Sequence, residues 1–378
     1  MSKQLRTYKY KLYKTKRTKH LHQLIDITGI IYNHCIALHK RYYKLYGKHL
    51  NKYQLQKHLT KLKKREKYAY WNMLGSQAIQ NITERIDNGY RKFFEYAKGK
   101  TRLKASPPSF KKVKQYRSFT FKGSVGYKLK ENVISINGYH FKFWLSRAIE
   151  GKIKTITVKR DNIGDFYICI LLEQEAEPNR AASGKSVGID FGLKTFLVLS
   201  DDMHIEAILH YLNSIKRLRK LSCSLSKKIK GSNNRKKAKR TLAKLHIKIA
   251  NQRRHVHHRL ANHLAAQYDY IFVEDLNMKA MQKLWGRKIG DLGFSEFINV
   301  LSCKTNVIKI DRFYPSSKTC SSCGHVLNEL DLKTREWDCP VCRAHHSRDL
   351  NAAINIHRVG ASTLGIDMVR PASQANVA

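Results

Sequence analysis

Acidic residues are scarce in this chain. Its 378 residues include 28 Asp and Glu against 73 Lys and Arg, which gives a formal net charge of +45. No carboxylate occurs between Tyr211 and Tyr268. An excess of this size repels itself in a compact state unless an anion accompanies it, so it favours a polyphosphate partner over an acidic small molecule. The composition therefore predicts a protein that binds nucleic acid.

Long apolar runs and a dense set of cysteines are also missing. No stretch approaches the roughly 18 consecutive apolar residues of a membrane span, and the Lys-rich start lacks the apolar segment of a signal peptide. These absences exclude the membrane and secreted classes. Eight cysteines are too few for a disulfide scaffold in a chain of this length, and four of them are clustered near the C-terminal end. In a reducing cytoplasm that cluster indicates a metal site.

The first half of the chain changes from helical to β-rich patterns. Apolar residues keep helical spacing from Leu21 to Leu38 and from Ile79 to Phe94, which predicts a small helical bundle over 16–104. Short β-rich runs separated by Gly, Asn and Asp turns follow at 118–121, 133–136, 153–158 and 166–172. We expect an antiparallel barrel or sandwich built from 1–15 and 105–180, with the bundle inserted between its strands.

The second half indicates an α/β domain that contains two long basic helices. The apolar strand 187–190 turns and returns as a hairpin along 195–200, and another apolar strand follows at 270–273. Apolar residues from Leu242 to Leu264 hold helical spacing, so we expect two helices joined near Gly231. A charged helix face is often only solvated, but a run this long without acids is better interpreted as a phosphate track. Its main cations are Arg235, Lys236, Lys237, Lys239 and Arg240.

Two Cys-x2-Cys pairs separated by 15 residues have the spacing of a zinc ribbon. Four thiolates satisfy the tetrahedral preference of zinc and leave no open position for water, so the metal would be structural rather than catalytic. Neighbouring histidines such as His346 could replace a ligand, but with four cysteines available we expect them at the surface or facing nucleic acid. The proposed zinc ligands are Cys320, Cys323, Cys339 and Cys342.

Three carboxylates stand at the ends of predicted elements. Asp190 and Glu274 each end an apolar strand, and Asp349 begins a predicted helix after the ribbon. Taken singly, each is equally well explained as a turn residue or a helix cap. Together they match a nuclease site with two magnesium ions, because hard cations prefer oxygen ligands supplied from neighbouring elements. Asp275 is the rival to Glu274 and ranks second, because strand alternation lets only one of the pair face the site.

Four motifs, in order over about half of the chain, carry a family resemblance. They are Gly188–Leu193, Val273–Leu276, the four-cysteine ribbon and Arg348–Ile356. This set resembles TnpB, the transposon-encoded family of RNA-guided DNA endonucleases related to type V CRISPR effectors. Arg253 and Arg254, which precede the second acid, fit the basic helix of that family. The chain departs from the family at Ser347, where an Asp is common, but it retains Asp349.

The resemblance implies an α+β multi-domain fold. The amino half would be a wedge-like β-barrel, 1–15 and 105–180, with the inserted recognition bundle 16–104. The carboxyl half would be an RNase H-like RuvC nuclease with the acidic triad Asp190, Glu274 and Asp349. That nuclease domain would comprise 184–314 and 347–365, with the zinc ribbon 315–346 inserted and a C-terminal tail at 366–378.

The implied activity is magnesium-dependent cleavage of double-stranded DNA by one RuvC site, guided by a noncoding RNA from the same transposon. The implied location is the prokaryotic cytoplasm, in association with the nucleoid, and the transposase of the same element is a further candidate partner. Two other hypotheses about the function stay open. One is a nuclease-inactive, RNA-guided DNA-binding repressor, which the presence of all three acids disfavours. The other is a strand-transferring transposase, which its joined products would distinguish.

In an RNA-guided nuclease, base pairing identifies the target, while the protein holds phosphates and recognises one short duplex motif. Lys111 and Lys112 are candidate phosphate contacts beside the basic helices. Recognition of the duplex motif needs side chains such as Gln or Asn presented to a groove. The candidates in the amino half are Tyr53, Gln77, Gln80, Asn81 and Thr120, and an ordinary surface role is an equal alternative for them.

Overall fold

The computed structural model describes residues 3–175, 183–331 and 333–365 of an α+β chain. The chain divides into two compact units, Met1–Pro178 and Asn179–Ala378. The last residues of the predicted barrel, 176–180, and the predicted tail, 366–378, lie outside the described residues. Within the described ranges, no helix is long and apolar enough to cross a membrane.

The first unit contains two antiparallel sheets. Its strands are β1 (Lys3–Lys11), β2 (Ser118–Lys122), β3 (Lys128–Lys130), β4 (Val133–Ile136), β5 (Tyr139–Lys142), β6 (Lys152–Arg160) and β7 (Phe166–Glu175). The orders are β1-β7-β6-β2 and β3-β4-β5. The N-terminal strand pairs with the last strand, as predicted, with Tyr8 opposite Ile170. The described strands pair as two separate sheets and do not form the single closed barrel that the sequence predicted. An isolated bridge between Leu12 and Phe143 links the two sheets.

The predicted helices of the first unit are confirmed. They are α1 (Thr18–Tyr46), α2 (Lys52–Leu62) and α3 (Ser76–Ala97), with a 3-10 segment at Glu66–Leu74. Residues at helical spacing, such as Leu21 and Leu24 of α1 and Ile82 and Ile86 of α3, enter one core with the sheet residues. The apolar stripe thus buries each helix on one face and leaves its polar face exposed.

The second unit is built on one mixed sheet. Its strands are β8 (Ser186–Phe191), β9 (Thr195–Leu199), β10 (His204–Glu206), β11 (Tyr270–Glu274) and β12 (Asn306–Ile310), in the order β10-β9-β8-β11-β12. The predicted hairpin is β8 and β9, which pair antiparallel. Strand β11 lies parallel to both β8 and β12. The C-terminal ends of β8 and β11 therefore meet at the same edge of the sheet.

Helices surround that sheet and include the predicted basic pair. They are α4 (His210–Asn213), α5 (Ile215–Ser226), α6 (Asn233–Gln267), α7 (Met278–Trp285), α8 (Arg287–Leu292), α9 (Phe294–Ser302) and α10 (Arg348–Thr363). Helix α10 lies against β8 without room for a side chain, since a Cβ added to Gly188 would be 2.2 Å from the carbonyl oxygen of Ala353. A short hairpin, β13 (Glu336–Asp338) and β14 (His345–Ser347), leads directly into α10.

Candidate active site and metal centre

Two of the predicted acids lie at the ends of neighbouring parallel strands. Ile189 of β8 is opposite Val273 of β11, so the next residue of each strand, Asp190 and Glu274, also become neighbours. Strand alternation turns Asp275 the other way. Its carboxylate is 2.9 Å from Lys309 Nζ and also contacts a neighbouring arginine, and these hydrogen bonds lower its pKa.

The third acid reaches the same edge through α10. Asp349 is in the first turn of that helix, and Ala353, one turn later, is the residue that touches Gly188 of β8. The absence of a side chain at Gly188 therefore permits the approach that brings Asp349 towards Asp190. The charge of Asp349 is one of the causes that raise the pKa of Asp190.

Burial disfavours the ionised form of two of the acids, and neighbouring charge adds to the effect at Asp190. Burial, followed by the charges of Asp349 and Glu274, raises the pKa of Asp190 to about 7. Burial alone raises the pKa of Glu274 to about 7. Two neighbouring acids with raised pKa values, Asp190 and Glu274, gain stability from a cation, and carboxylate oxygens are the donors that hard divalent ions prefer. The donor set therefore fits such an ion.

The three carboxylates do not form a group as tight as the cysteine cluster. In the described part of the chain, the ligand atoms of the four cysteines all lie within 4.8 Å of one another, and no other group of three or more metal-ligating side chains is this tight. The three carboxylates are more widely spaced than that. Asp349 also contacts Arg335, whose Nη1 lies 3.2 and 3.3 Å from the two carboxylate oxygens. Arg335 precedes the ribbon hairpin, and sequence reasoning missed it because an isolated arginine carries no motif.

The four cysteines converge as their spacing predicted. The Sγ atoms of Cys320 and Cys342 are 3.6 Å apart, as are those of Cys323 and Cys339. A tetrahedral shell with zinc–sulfur bonds of about 2.3 Å has sulfur atoms about 3.8 Å apart. The cluster thus has the dimensions of a four-thiolate metal shell. The thiols share their protons unequally, because the pKa of Cys339 is lowered to about 6, first by a backbone N–H of Cys342, while that of Cys342 is raised to about 12.

The expectation that the nearby histidines lie at the surface is wrong for His346. That side chain is buried against Trp337, and its Nε2 lies 3.0 Å from Cys320 Sγ. Burial lowers its pKa, so the neutral ring can donate an N–H to sulfur. His346 therefore supports the cysteine cluster from outside the set of four sulfurs. His345 is exposed, as expected, and bonds Asp338.

Two asparagines join the cysteine cluster to α10. Asn355, fully buried, donates from Nδ2 to the carbonyl oxygens of Ser316 and Thr319 at 2.9 and 2.6 Å. Asn351, also buried, donates to Thr319 and accepts from the backbone of Ser321. Both belong to the motif after Asp349, and sequence analysis did not assign them a role. They fix the segment that enters the first cysteine pair against the helix that carries the third acid.

The candidate DNA-reading residues of the first unit differ in exposure. Gln77, Gln80 and Asn81 share one face of α3, and Tyr53 on α2 is 68% exposed. The prediction that Thr120 contacts DNA is wrong, because this residue is 6% exposed and its hydroxyl is hydrogen-bonded to Arg85 and Thr157. A buried hydroxyl with two partners is not presented to a groove. Lys111 and Lys112 are exposed on the loop before β2.

Three of the predicted phosphate contacts have structural partners. Arg235 donates to the carbonyl oxygens of Leu225 and Lys228, at 2.9 and 2.7 Å, and so closes the turn between α5 and α6. Arg253 and Arg254 of α6 both pair with Glu296 of α9, at 3.0 and 3.3 Å. A carboxylate of another helix, that of Glu296, therefore neutralises part of the charge of the acid-free stretch. The residues of this stripe that remain exposed include Lys236, Lys237 and Arg240.

Comparison with known families and proteins gives matches over both units. Residues 168–284 match the family OrfB_IS605, described as "Probable transposase", and residues 294–356 match "Cas12f1-like, TNB domain". A Streptomyces pristinaespiralis protein named "Putative RNA-guided DNA endonuclease" is 31% identical, over 98% of this chain and 93% of its own length. InsQ of Escherichia coli K12, which has the same description, is 28% identical over 76% of this chain and 75% of its own length.

Solved structures share the fold at low sequence identity. A Cas12f1–sgRNA–target DNA complex matches with a TM-score of 0.56 at 17% identity, over 91% of this chain and 83% of that chain. The mini-RNA-guided endonuclease CRISPR-Cas_phi3 matches with a TM-score of 0.53 at 11% identity, over 94% of this chain and 92% of that chain.

Proposed function

This chain belongs to the TnpB family of RNA-guided DNA endonucleases, and we propose that it is itself an RNA-guided, magnesium-dependent endonuclease that cuts double-stranded DNA. The observation that carries the proposal is the meeting of Asp190, Glu274 and Asp349 at one edge of the second-unit sheet. The strand order β10-β9-β8-β11-β12 supports assigning this unit to the RNase H-like RuvC class. One site would then cut both strands in turn.

The three carboxylates would hold two magnesium ions. When bound, these ions supply an activated water and stabilise the leaving oxygen. The side chains of the protein contribute charge and position. Asp190 and Glu274 are fixed by the paired ends of β8 and β11, so their spacing is set by backbone hydrogen bonds. Asp349 is positioned by α10, which carries it in its first turn.

Arg335 acts as a positioning residue in this proposal. Its guanidinium contacts both oxygens of Asp349, and its own side chain is 57% exposed. A single guanidinium nitrogen, Nη1, is shared between the two oxygens, and this charged hydrogen bond restrains the direction of the carboxylate. With Asp349 as a metal ligand, the guanidinium of Arg335 would be available to a DNA phosphate, which is a natural partner of arginine.

The four cysteines would hold a structural zinc ion. Their sulfur separations and the lowered pKa of Cys339 support that assignment. A closed shell of four thiolates has no position for a reacting water, so the ion would stabilise the ribbon only. Because Asn351 and Asn355 bind this segment to α10, the zinc site also supports the position of Asp349.

The partners would be a noncoding guide RNA and the target DNA duplex. A formal charge of +45 supports a large phosphate contact, and the structural match to a complex with sgRNA and target DNA is consistent with it. In the first unit, exposed Gln80 and Tyr53 are candidates to read a short duplex motif. A transposase from the same element is a further proposed partner.

The decisive experiment is purification of the protein from cells, followed by sequencing of any bound RNA. A duplex that matches that RNA should be cut in magnesium and not in EDTA, and Asp190→Asn should retain RNA and DNA binding while losing cleavage. Asp275→Asn is the matched control and should cut normally. Cleavage by Asp190→Asn would overturn the triad. Joined strands would indicate a transposase, and binding without cutting by the wild type would indicate a repressor.

A further inference from the structure

A pocket of about 480 Å³ lies in the second unit, on the face of α6 that looks towards β9 and β10. Val256, His257 and Leu260 form one wall because they share a helical face at spacings of one and four residues. Ile205 of β10 and Leu292 of α8 line the other side. Small-molecule pockets in proteins are typically about 300–1,000 Å³, so this one is large enough for an organic ring.

Two histidines that line this pocket each have a buried ring nitrogen without a hydrogen-bond partner. His257 is 2% exposed, and its Nδ1 is buried and unpaired. His210, which also lines the pocket, has a buried and unpaired Nε2. Buried polar atoms in folded proteins are nearly always hydrogen-bonded, so these two nitrogens point to a partner that the protein itself does not supply.

The hydrogen bond of His257 decides what its free nitrogen can do. Nε2 lies 3.0 Å from the carbonyl oxygen of Leu292, which can only accept, so Nε2 carries the proton. Burial lowers the pKa of His257 and keeps the ring neutral. Nδ1 is therefore a bare acceptor, and it needs an N–H or O–H donor. A phosphate oxygen, which has no proton to donate at neutral pH, does not satisfy it.

The mouth of the pocket, in contrast, suits an anion. Arg259, exposed on α6, lines it and belongs to the acid-free stretch of that helix, whereas Arg253, also a lining residue, is paired with Glu296. The one carboxylate among the lining residues is Glu206, which is exposed. The site thus combines an apolar interior, a buried acceptor and a cationic rim. A nucleotide has the matching parts, namely a flat ring with N–H donors and a phosphate.

We propose that this pocket binds a single unstacked nucleobase of the guide RNA, with the adjacent phosphate on Arg259 of α6. RNA is the source favoured here because proteins recognise RNA largely through splayed bases of loops and ends. The inference rests on the proposed function, which supplies the RNA. It adds a specific attachment point in the second unit, separate from the three acids.

Photo-crosslinking tests the proposal on the purified protein–RNA complex. The photoreactive residue p-benzoylphenylalanine replaces Ile208, which is 51% exposed at the pocket. The matched control replaces Ile229, which is 79% exposed between α5 and α6. We expect the Ile208 substitution to give one RNA adduct at a single nucleotide, mapped by reverse-transcription stops, and the Ile229 substitution to give none at that nucleotide. No adduct, a diffuse ladder shared by both, or an adduct that requires added target DNA would overturn the proposal.

Two variants that fill the pocket from opposite walls sharpen the test. In the background of the Ile208 crosslinker, Leu260→Trp and Ile205→Trp should each reduce the adduct at least tenfold while RNA still co-purifies. Either variant suffices if the other fails to fold, and an undiminished adduct in a folded variant refutes the pocket. Equilibrium dialysis of RNA-free protein with AMP and GMP distinguishes a free nucleotide as occupant. Micromolar binding that the fillings abolish would overturn the RNA source.

The outcome is distinguishable from failure of the proposed function. If no RNA co-purifies and no matching duplex is cut, the proposed function fails. If RNA co-purifies and directs cleavage but Ile208 yields no adduct, only the pocket assignment fails.

Discussion

Replacing Asp190 with Asn should make the RNA-free protein more stable at pH 8 although it abolishes cleavage. In the folded protein the pKa of Asp190 is raised from 3.8 to about 7, first by burial and then by the charges of Asp349 and Glu274. The neutral carboxyl is therefore favoured by folding. Its stabilising contribution is complete below the ordinary pKa and is lost as the pH rises through about 7. Asn stays neutral and avoids this loss.

The magnitude follows from the size of the shift. An increase of about three pKa units corresponds to about 4 kcal/mol, at about 1.4 kcal/mol per unit. This value is an upper bound, because Asp190 is only half-buried. We expect a gain of about 1–3 kcal/mol at pH 8 after discounting for solvent. In a unit of about 200 residues, each kcal/mol raises Tm by about 2–4 °C.

The assay is thermal unfolding in magnesium-free buffer at pH 5 and pH 8, with the transition of the second unit followed separately. Asp190→Asn should raise Tm at pH 8 and much less at pH 5. Asp275→Asn is the control with the opposite sign, because ion pairing with Lys309 lowers the pKa of Asp275 and stabilises its charged form. Added magnesium should raise Tm of the wild type but not of Asp190→Asn. An unchanged or lower Tm of Asp190→Asn at pH 8 would refute the electrostatic account of the site.

Three further perturbations test other parts of the structure. Arg335→Ala should reduce guided cleavage at least tenfold with RNA binding unchanged, while Arg335→Lys restores part of it; wild-type cleavage by the Ala variant would contradict a positioning role. Asn355→Ala removes the donor from two buried carbonyls and should cost about 1–3 kcal/mol and speed zinc loss to a chelator, whereas exposed Asn328→Ala should change neither. Burial lowers the pKa of His34, and it lowers that of His39 to about 4. Below pH 6.5 the unfolded chain therefore takes up more protons than the folded chain, and the urea midpoint of the first unit should be lower at pH 5 than at pH 7.5. Equal midpoints at the two pH values would contradict this.

Features encoded locally could be predicted from the sequence. Helical spacing of Leu21 and Ile82 identified α1 and α3, because the period of apolar residues directly reflects which face is buried. The spacing of the cysteines predicted their convergence, because each pair is closed by a turn of two residues. The preference for Glu274 over Asp275 followed from strand alternation alone, and the ion pair of Asp275 on the other face agrees with it.

Features that depend on distant partners could not be predicted. Arg253 and Arg254 lie in a stretch without acids, yet Glu296 reaches them from α9, and only the folded arrangement brings it there. Thr120 alternates correctly for a strand, but which face of the sheet meets α3 depends on Arg85 of that helix. Closure of the predicted barrel likewise depends on pairing between strands far apart in sequence, and the pattern of each strand carries no information on that.

The position of the third acid depends on both the ribbon and α10. Gly188 and Ala353 set how closely α10 approaches β8, and this contact determines the distance of its first turn from Asp190. The rotation and height of that turn are fixed by Asn355, which binds the segment leading into the cysteine cluster. An ion in the cluster would hold that segment rigid, so its removal should loosen Asp349 without touching any reacting atom. Under the proposed function, cleavage would therefore depend on a metal that takes no part in the reaction.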